Sequence, residues 1–266
     1  MVGKKVSGVA GKIYLALICL FLYMPILTLV VLSFNATKTR GRFAGFSLRW
    51  YRSLFQDQSI LHALFTTLLI ALISALAATV FGTIVAFAMN HMKKWKKTTL
   101  MSLTNIPMLN ADIVTGISLM LLFIAVNYTM GFSSVLIAHI TFNLPFVILS
   151  VAPRLGSMNT SAFEAAQDLG ASTTQTLFRV LIPMSVPGIS TGITMVFVPA
   201  VSTFVISRML GGGSNLLIGD LIEMQFLGNS YNLNVGSAMS LVLMIIVLLC
   251  MSFTSSFDED EMEGVS

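Results

Sequence analysis

The sequence predicts an all-α integral membrane protein with six transmembrane helices, and three observations carry that reading. Hydrophobic residues make up 56% of the 266-residue chain and charged residues only 10%, against about 25% charged in an ordinary soluble domain. Mean hydropathy is +0.88. The apolar residues also fall in long runs, and at about 20 residues per helical span there is room for six spans with short connections.

The first span covers about 13–34, with Pro25 inside it, and follows Lys4, Lys5 and Lys12. A signal peptide begins similarly, but its apolar core is only about 7–15 residues long and ends in a small-residue cleavage site. The longer run here predicts an uncleaved first helix. A polar stretch, 35–62, holds Lys38, Arg40, Arg42, Arg49 and Arg52. The second span, about 63–89, ends at Lys93, Lys94, Lys96 and Lys97. The third, about 100–126, is expected to be interrupted near Asn105-Ile106-Pro107, and the fourth covers about 132–151 with Pro145 inside. Residues 154–186 form a polar helical insertion. The fifth and sixth spans cover about 187–207 and 235–254, separated by Gly211-Gly212-Gly213 and an amphipathic piece near 216–227. Residues 255–266, with Asp258-Glu259-Asp260-Glu261, read as a solvated acidic tail. The whole chain, 1–266, is one transmembrane domain.

The same counts exclude several functions. Cys19 and Cys250 both lie in apolar runs, so neither a disulfide framework nor a CxxC metal site is encoded. Three histidines, His62, His91 and His139, without an HxxxH pair, argue against a metal centre. No basic patch with interleaved aromatics suggests nucleic acid, no cofactor motif is present, and no nucleophile–base cluster suggests an enzyme. No internal repeat is visible, which argues against an inverted-repeat secondary transporter. With a cytoplasmic N-terminus, nine Lys/Arg lie inside and six outside, five of the six in the first loop. The positive-inside rule therefore favours this orientation only by a narrow margin.

The insertion is the most informative segment. Ser161 and Glu164 have the S-x-x-E spacing of a capping box, and Ser172 and Gln175 repeat it as S-x-x-Q. Two helix starts are thus encoded, with Gly170 between them to end the first in the left-handed conformation. Pro183 is expected to stop the second helix. Phe163 and Ala166 share one side of the first helix, and Glu164 and Asp168, at i,i+4, share another. Glu164 could act as a cap alone, but capping does not explain a polar loop of over thirty residues in so apolar a chain. A docking role does.

Glu164-Ala165-Ala166, Gly170 and Leu181-Ile182-Pro183 together resemble the coupling motif of type I ABC importer permeases. That resemblance implies a helix pair seated in a cleft of a cytoplasmic ATPase, with Glu164, Ala165, Ala166, Asp168, Gly170 and Pro183 as the coupling residues. The chain has no GxxxxGK[ST] phosphate loop of its own, so ATP hydrolysis falls to a partner. Within that superfamily the chain is most similar to spermidine/putrescine importers, whose two permeases are called B and C. Residues 112–119, 139–146 and Trp50-Tyr51 resemble the C subunit, whereas Phe197-Val198-Pro199-Ala200, 210–219 and 225–227 look like the B subunit. The resemblance implies a bacterial plasma-membrane protein, cytoplasmic at both termini. It would form a heterodimer with a second permease, bind cytoplasmic ATPase subunits and an external binding protein, and lie in lipid. Another solute such as ferric iron or sulfate, or a secondary transporter, is the alternative.

Candidates for the substrate path are Asp112 with Asn110, His139, Asn143, Phe197 and Ser202. Asp112 is the one acid placed inside a span. Its burial in hydrocarbon would cost about 2.5–3.5 kcal/mol, so it should face a cavity or a partner, unless it caps a helix restarting after Pro107. His139 and Asn143, at i,i+4 on span four, suit interhelical hydrogen bonding better than substrate binding, since such residues hold spans together. Phe197 and Tyr231 offer aromatic faces to a cation, and the Ser190, Thr191, Thr194 stripe has helical spacing. Asp220 and Glu223 are expected on an outer loop.

Overall fold

The computed structural model describes residues 9–38, 43–90, 92–157, 165–166, 168–176, 179, 182–213, 217–228 and 232–263. The described regular structure is helical apart from one isolated bridge between Asn35 and Phe46. In chain order the helices are α1 Val9–Ser33, α2 Arg49–Gln56, α3 Gln58–Asn90, α4 Lys94–Leu109, α5 Asp112–Ala125, α6 Phe132–Ser157 and α7 Thr173–Thr176. They continue with α8 Ile182–Ser202, α9 Val205–Leu210, α10 Ile218–Leu227 and α11 Leu233–Glu263. Five of these, within α1, α3, α6, α8 and α11, are long and apolar enough to cross a membrane. The sixth candidate is the pair α4 and α5, bent by 103°.

That bend corrects the expected third span. Pro107 lies inside α4, and the helix persists beyond it to Leu109. The break falls instead at Asn110 and Ala111, both extended, with Asn110 at φ −81° and ψ 146°. Asparagine competes for local backbone bonds and favours such turns. Alone, α5's 14 residues reach only roughly 21 Å, short of an apolar core about 30 Å thick.

The chain divides into two compact units. The larger holds 62–220 and 246–266, and α3, α6 and α8 build its centre. Helix α3 buries a stripe of small residues, Ala71, Ser74, Ala75, Ala78 and Ala86, and exposes Leu72, Leu76, Phe81 and Ile84. Small residues let helix backbones approach where lipid offers no hydrophobic drive between apolar helices. At Gly82 an added Cβ would lie 2.7 Å from Cβ of Val147 on α6. Along the same face of α6, Gly188 and Gly192 form a GxxxG pair on α8, and a Cβ there would meet Arg154 at 3.1 Å and Ser150 Oγ at 2.7 Å. Helix α6 is therefore approached closely by two helices, which meet it at Val147. It also runs past both Pro145 and Pro153 to Ser157, six residues beyond the expected end.

The expected fifth span shifts as well. It begins at Ile182 rather than 187, and Thr203 and Phe204 break it before the separate short helix α9. Ser202 Oγ donates to Val198 O at 3.0 Å, bonding its own last turn. The glycine loop after α9 is held against α6: Ser134 Oγ donates to Leu210 O at 2.7 Å. Gly212, at φ +65°, sits with its Cβ position 2.8 Å from Met130 O, so both the conformation and the space favour glycine there. Residues 255–263 continue α11 as helix rather than forming an irregular tail. Adding residues to a formed helix gains one bond each without a new nucleus.

The smaller unit holds 1–61 and 221–245, and the described residues of the polar first loop make specific contacts within it. Phe34 and Phe46 stack at 5.0 Å, with Tyr51 at 5.2 Å from Phe34. Trp50 Nε1 donates to Asn35 O at 2.6 Å. Asn234 Nδ2 on α11 donates to the carbonyls of Asn35, at 3.1 Å, and Thr37, at 2.7 Å. These bonds tie the loop to the first turn of α11.

Replacing Gly82 by Ala forces its new Cβ against branched Val147, and overpacking of this kind costs about 1–3 kcal/mol. Thermal unfolding in detergent should show that loss, and Val147→Ala in the same chain should recover part of it. Strictly additive losses would show that the two positions do not meet.

Candidate functional site

Around Gly170 the described residues are 165, 166, 168–176 and 179, which cover the turn of the expected helix–turn–helix and the ends that flank it. Residues 165, 166 and 168 are helical, and Leu169 N donates to Ala165 O at 3.1 Å. Gly170 then takes φ +86°, and Ala171 N reaches back to Ala166 O at 3.0 Å. A left-handed glycine followed by a six-to-one bond is a Schellman closure, which satisfies an orphan carbonyl at the helix end. The next helix starts two residues later. Ser172 N donates to Gln175 Oε1 at 3.0 Å while Gln175 N donates to Ser172 Oγ at 3.3 Å, the reciprocal bonds of a capping box. Thr176 N adds a bond to Ser172 O at 2.9 Å.

The result is an internally hydrogen-bonded reverse turn displayed outward. Asp168 and Gly170 are exposed, Leu169 is 89% exposed, and nothing lies within 4 Å of a Cβ added at Gly170. The need for glycine there is conformational rather than steric. Ala165 is exposed and Ala166 half-buried. Ser161, Phe163 and Glu164 lie outside the described residues, so the first capping box and the acidic pair are not visible. Pro183 stands at the second residue of α8, where a missing N–H is harmless. It opens that helix; the end of the preceding one lies outside the described residues.

The path candidates do not gather into one cluster. Asn110 and Asp112 are exposed at the α4–α5 break, with Asp112 in the first turn of α5 where a carboxylate suits the helix dipole. His139 is buried, and its Nδ1 lies 2.8 Å from Val135 O in its own helix. Asn143 is buried and donates to Ser74 Oγ of α3 at 3.4 Å, an interhelical bond of the kind weighed for it. Phe197 lines an apolar groove of about 530 Å³ with Leu72, Thr194 and Val198. Thr194 bonds back to Ser190 O at 3.1 Å. Ser202 is exposed at the end of α8, and Tyr231 lies outside the described residues.

Asp220 is the main departure. Expected on a surface loop, it is 1% exposed. It stands at the third position of α10, and its Oδ2 accepts from Leu217 N at 3.0 Å and from the Ser207 hydroxyl. Ile218 N meanwhile donates to Thr67 Oγ1 of α3 at 2.8 Å. Two helices supply the caps for the start of a third.

Comparisons with known proteins now bear on this geometry. Residues 78–258 match the model of the family described as binding-protein-dependent transport system inner membrane component. The chain belongs to that family. It is 32% identical over 250 residues to the spermidine/putrescine transport system permease protein PotC of Escherichia coli K12, covering 94% of this chain and 93% of that one. It is 33% identical over 199 residues to the putrescine transport system permease protein PotI of the same organism, covering 72% and 71%. Among solved structures, a bacterial ABC transporter involved in the import of the acidic polysaccharide alginate aligns with TM-score 0.76 over 94% of both chains, at 16% identity. The MetNI methionine ABC transporter aligns with TM-score 0.63 over 81% of this chain and 99% of that one, at 18% identity. The fold is that of an ABC transporter membrane subunit, and the long apolar helices make this permease a multi-pass membrane protein.

Two features of the permease escaped the sequence reading. Gly188-x-x-x-Gly192 was available as a close-packing motif inside an apolar helix. The Asp220 knot carried only a weak signal: an acid three residues after the start of an apolar stretch, as in a reach-back cap.

Loss of the Ser172 hydroxyl removes about 1 kcal/mol of capping. Ser172→Ala should therefore speed amide exchange at Gln175 and Thr176 about fivefold, and unchanged rates would remove the capping box from the account. Asp220→Ala strands the Ser207 hydroxyl in a buried site and leaves the Leu217 N–H only its longer bond to Ser207 Oγ, at 3.3 Å. It should lower stability by about 1–3 kcal/mol, read as a fall in thermal midpoint, and adding Ser207→Ala, which removes the last acceptor of the Leu217 N–H, should not restore it.

Proposed function

We propose that this chain is one permease half of an ATP-driven importer of polyamines such as spermidine and putrescine. The observation that carries the reading is the internally bonded, outward turn at Gly170, in a chain whose relatives are polyamine permeases over nearly their whole length. A polar turn with both helix ends internally capped needs no further partner for folding, yet it leaves Asp168 and Leu169 facing outward. Such a surface suits the cleft of a soluble ATPase subunit.

In this reading segment 154–186 is the coupling element, with Glu164, Ala165, Ala166, Asp168, Gly170 and Pro183 as its working residues. Both termini are cytoplasmic. A second permease completes the pathway, two ATPase subunits drive it, and an external binding protein delivers cargo. Helix α6 leads into the segment and α8 leads out, and the two pack on one another through Gly188 and Gly192. Movement of the turn is thereby passed to two membrane helices together. Asn110 and Asp112 at the α4–α5 break are the amide and carboxylate we assign to a polycationic substrate. They are exposed polar groups where an apolar helix pair is interrupted.

Uptake by cells carrying the intact system tests both parts. Labelled putrescine uptake should be competed by spermidine and unaffected by ferric iron or sulfate; the reverse pattern would reassign the cargo while leaving the transporter. Gly170→Val places a branched residue at φ +86° and should reduce uptake at least about tenfold, since left-handed backbone is a genuine outlier for such residues. Gly170→Asn, which tolerates that conformation, should retain most activity at equal membrane abundance. Equal uptake by both variants would overturn the coupling role.

A further inference from the structure

We propose that the turn joining α3 to α4 is a binding site for the phosphate headgroups of anionic phospholipids. Lys93, Lys94, Lys96 and Lys97 crowd four ammonium groups into five residues, immediately after the membrane-crossing helix α3. No acidic residue occurs between Asp57 and Asp112 to offset them. Among the described residues their one side-chain partner is neutral: Lys97 Nζ donates to Asn90 Oδ1 at 3.4 Å. These four lysines lie outside the coupling segment and the path candidates.

Two further features turn a charge cluster into a headgroup site. Helix α4 begins here, with Lys93 extended in the cap position and no side-chain acceptor for the first-turn N–H groups. An uncapped helix start directs backbone donors and the positive end of the dipole at an anion. Trp95, in the middle of the lysines, is 77% exposed. Indole rings of that kind collect at the level of lipid headgroups, where one part is apolar and the N–H is wet. The exposed apolar surface then continues along α4 through Leu103, at 55%, Ile106, at 51%, and Leu109, at 85%. Cations at its head and apolar side chains along an outward stripe place the start of α4 at headgroup level with the stripe against lipid. A soluble acidic partner would meet the lysines but leave that stripe in water, so lipid is the better occupant. The inference requires only that the chain sits in a membrane, and does not depend on cargo or coupling.

Fluorescence quenching tests it on the full chain, isolated with whatever subunits accompany it. The protein is reconstituted in phosphatidylcholine vesicles containing a minor fraction of brominated phosphatidylglycerol or, separately, brominated phosphatidylcholine. The Trp95 signal is the difference from Trp95→Phe, which removes the contribution of Trp50 and of other subunits. Brominated phosphatidylglycerol should quench Trp95 as though enriched about fivefold or more over its bulk fraction, the attraction of a single lysine at a charged surface. High salt should erase the preference in the unmodified chain, which needs no variant to fold. Replacing all four lysines by Arg should preserve it, and replacing them by Gln should abolish it. Equal quenching by the two lipids would show that Trp95 lies in the interface without selecting a headgroup, and would overturn the proposal. So would an absence of quenching by either lipid, the result expected if protein covers the turn.

Discussion

The constraint on which this structure depends is that hydrocarbon supplies no hydrogen bonds to a broken backbone. A helix that stops inside or near the membrane leaves several N–H or C=O groups without partners, and at three places in the described residues specific side chains meet them. The start of α10 draws on Asp220, Ser207 and Thr67. The end of α9 draws on Ser134, which also bonds to Gly131 O. Within the smaller unit, the carbonyls of Asn35 and Thr37 are met by Asn234 and Trp50. A polar side chain inside this apolar chain is therefore first a means of permitting a break. Only where a polar group remains outside such a knot, as at Asn110 and Asp112, does a functional role become the simpler account.

The turn at Gly170 is built on the opposite principle. Among the described residues it is closed by local bonds over a handful of positions. A motif closed by its own backbone keeps its shape while its surroundings move. That is the property required of a part through which force passes between two proteins, whereas the buried knots hold their helices in fixed relation.

This division also explains what the sequence disclosed. Composition and apolar runs marked the long helices, because hydropathy is a property of each segment alone. The Ser172–Gln175 box and Gly170 were legible for the same reason: capping is local, and its residues lie within a few positions of one another. The burial of Asp220 was not legible, because the atoms that satisfy it come from Ser207 and, beside it, Thr67 serves Ile218 from over a hundred residues away. The break at Asn110 was misplaced to Pro107 because proline is the stronger local signal. A helix already formed can run past a proline when its freed carbonyl is near an end. The close packing at Gly82, Gly188 and Gly192 is likewise a relation between helices, and one sequence reveals only the spacing of its glycines.

Helix α6 brings these threads together. Small residues on α3 and the glycine pair on α8 allow it to approach both neighbours at backbone range. Packed interiors transmit displacement rather than absorb it. Because α6 enters the polar insertion and α8 leaves it, a push at the turn acts on two helices already locked to each other through Ser150 and Arg154. The Ser74–Asn143 bond extends that coupling to α3. A shift at the exposed turn would thus be felt by three membrane helices as one body. The bent α4–α5 pair, attached to α6 less closely, is the element best placed to move against it, and its exposed Asn110 and Asp112 lie at the point where such movement would open or close.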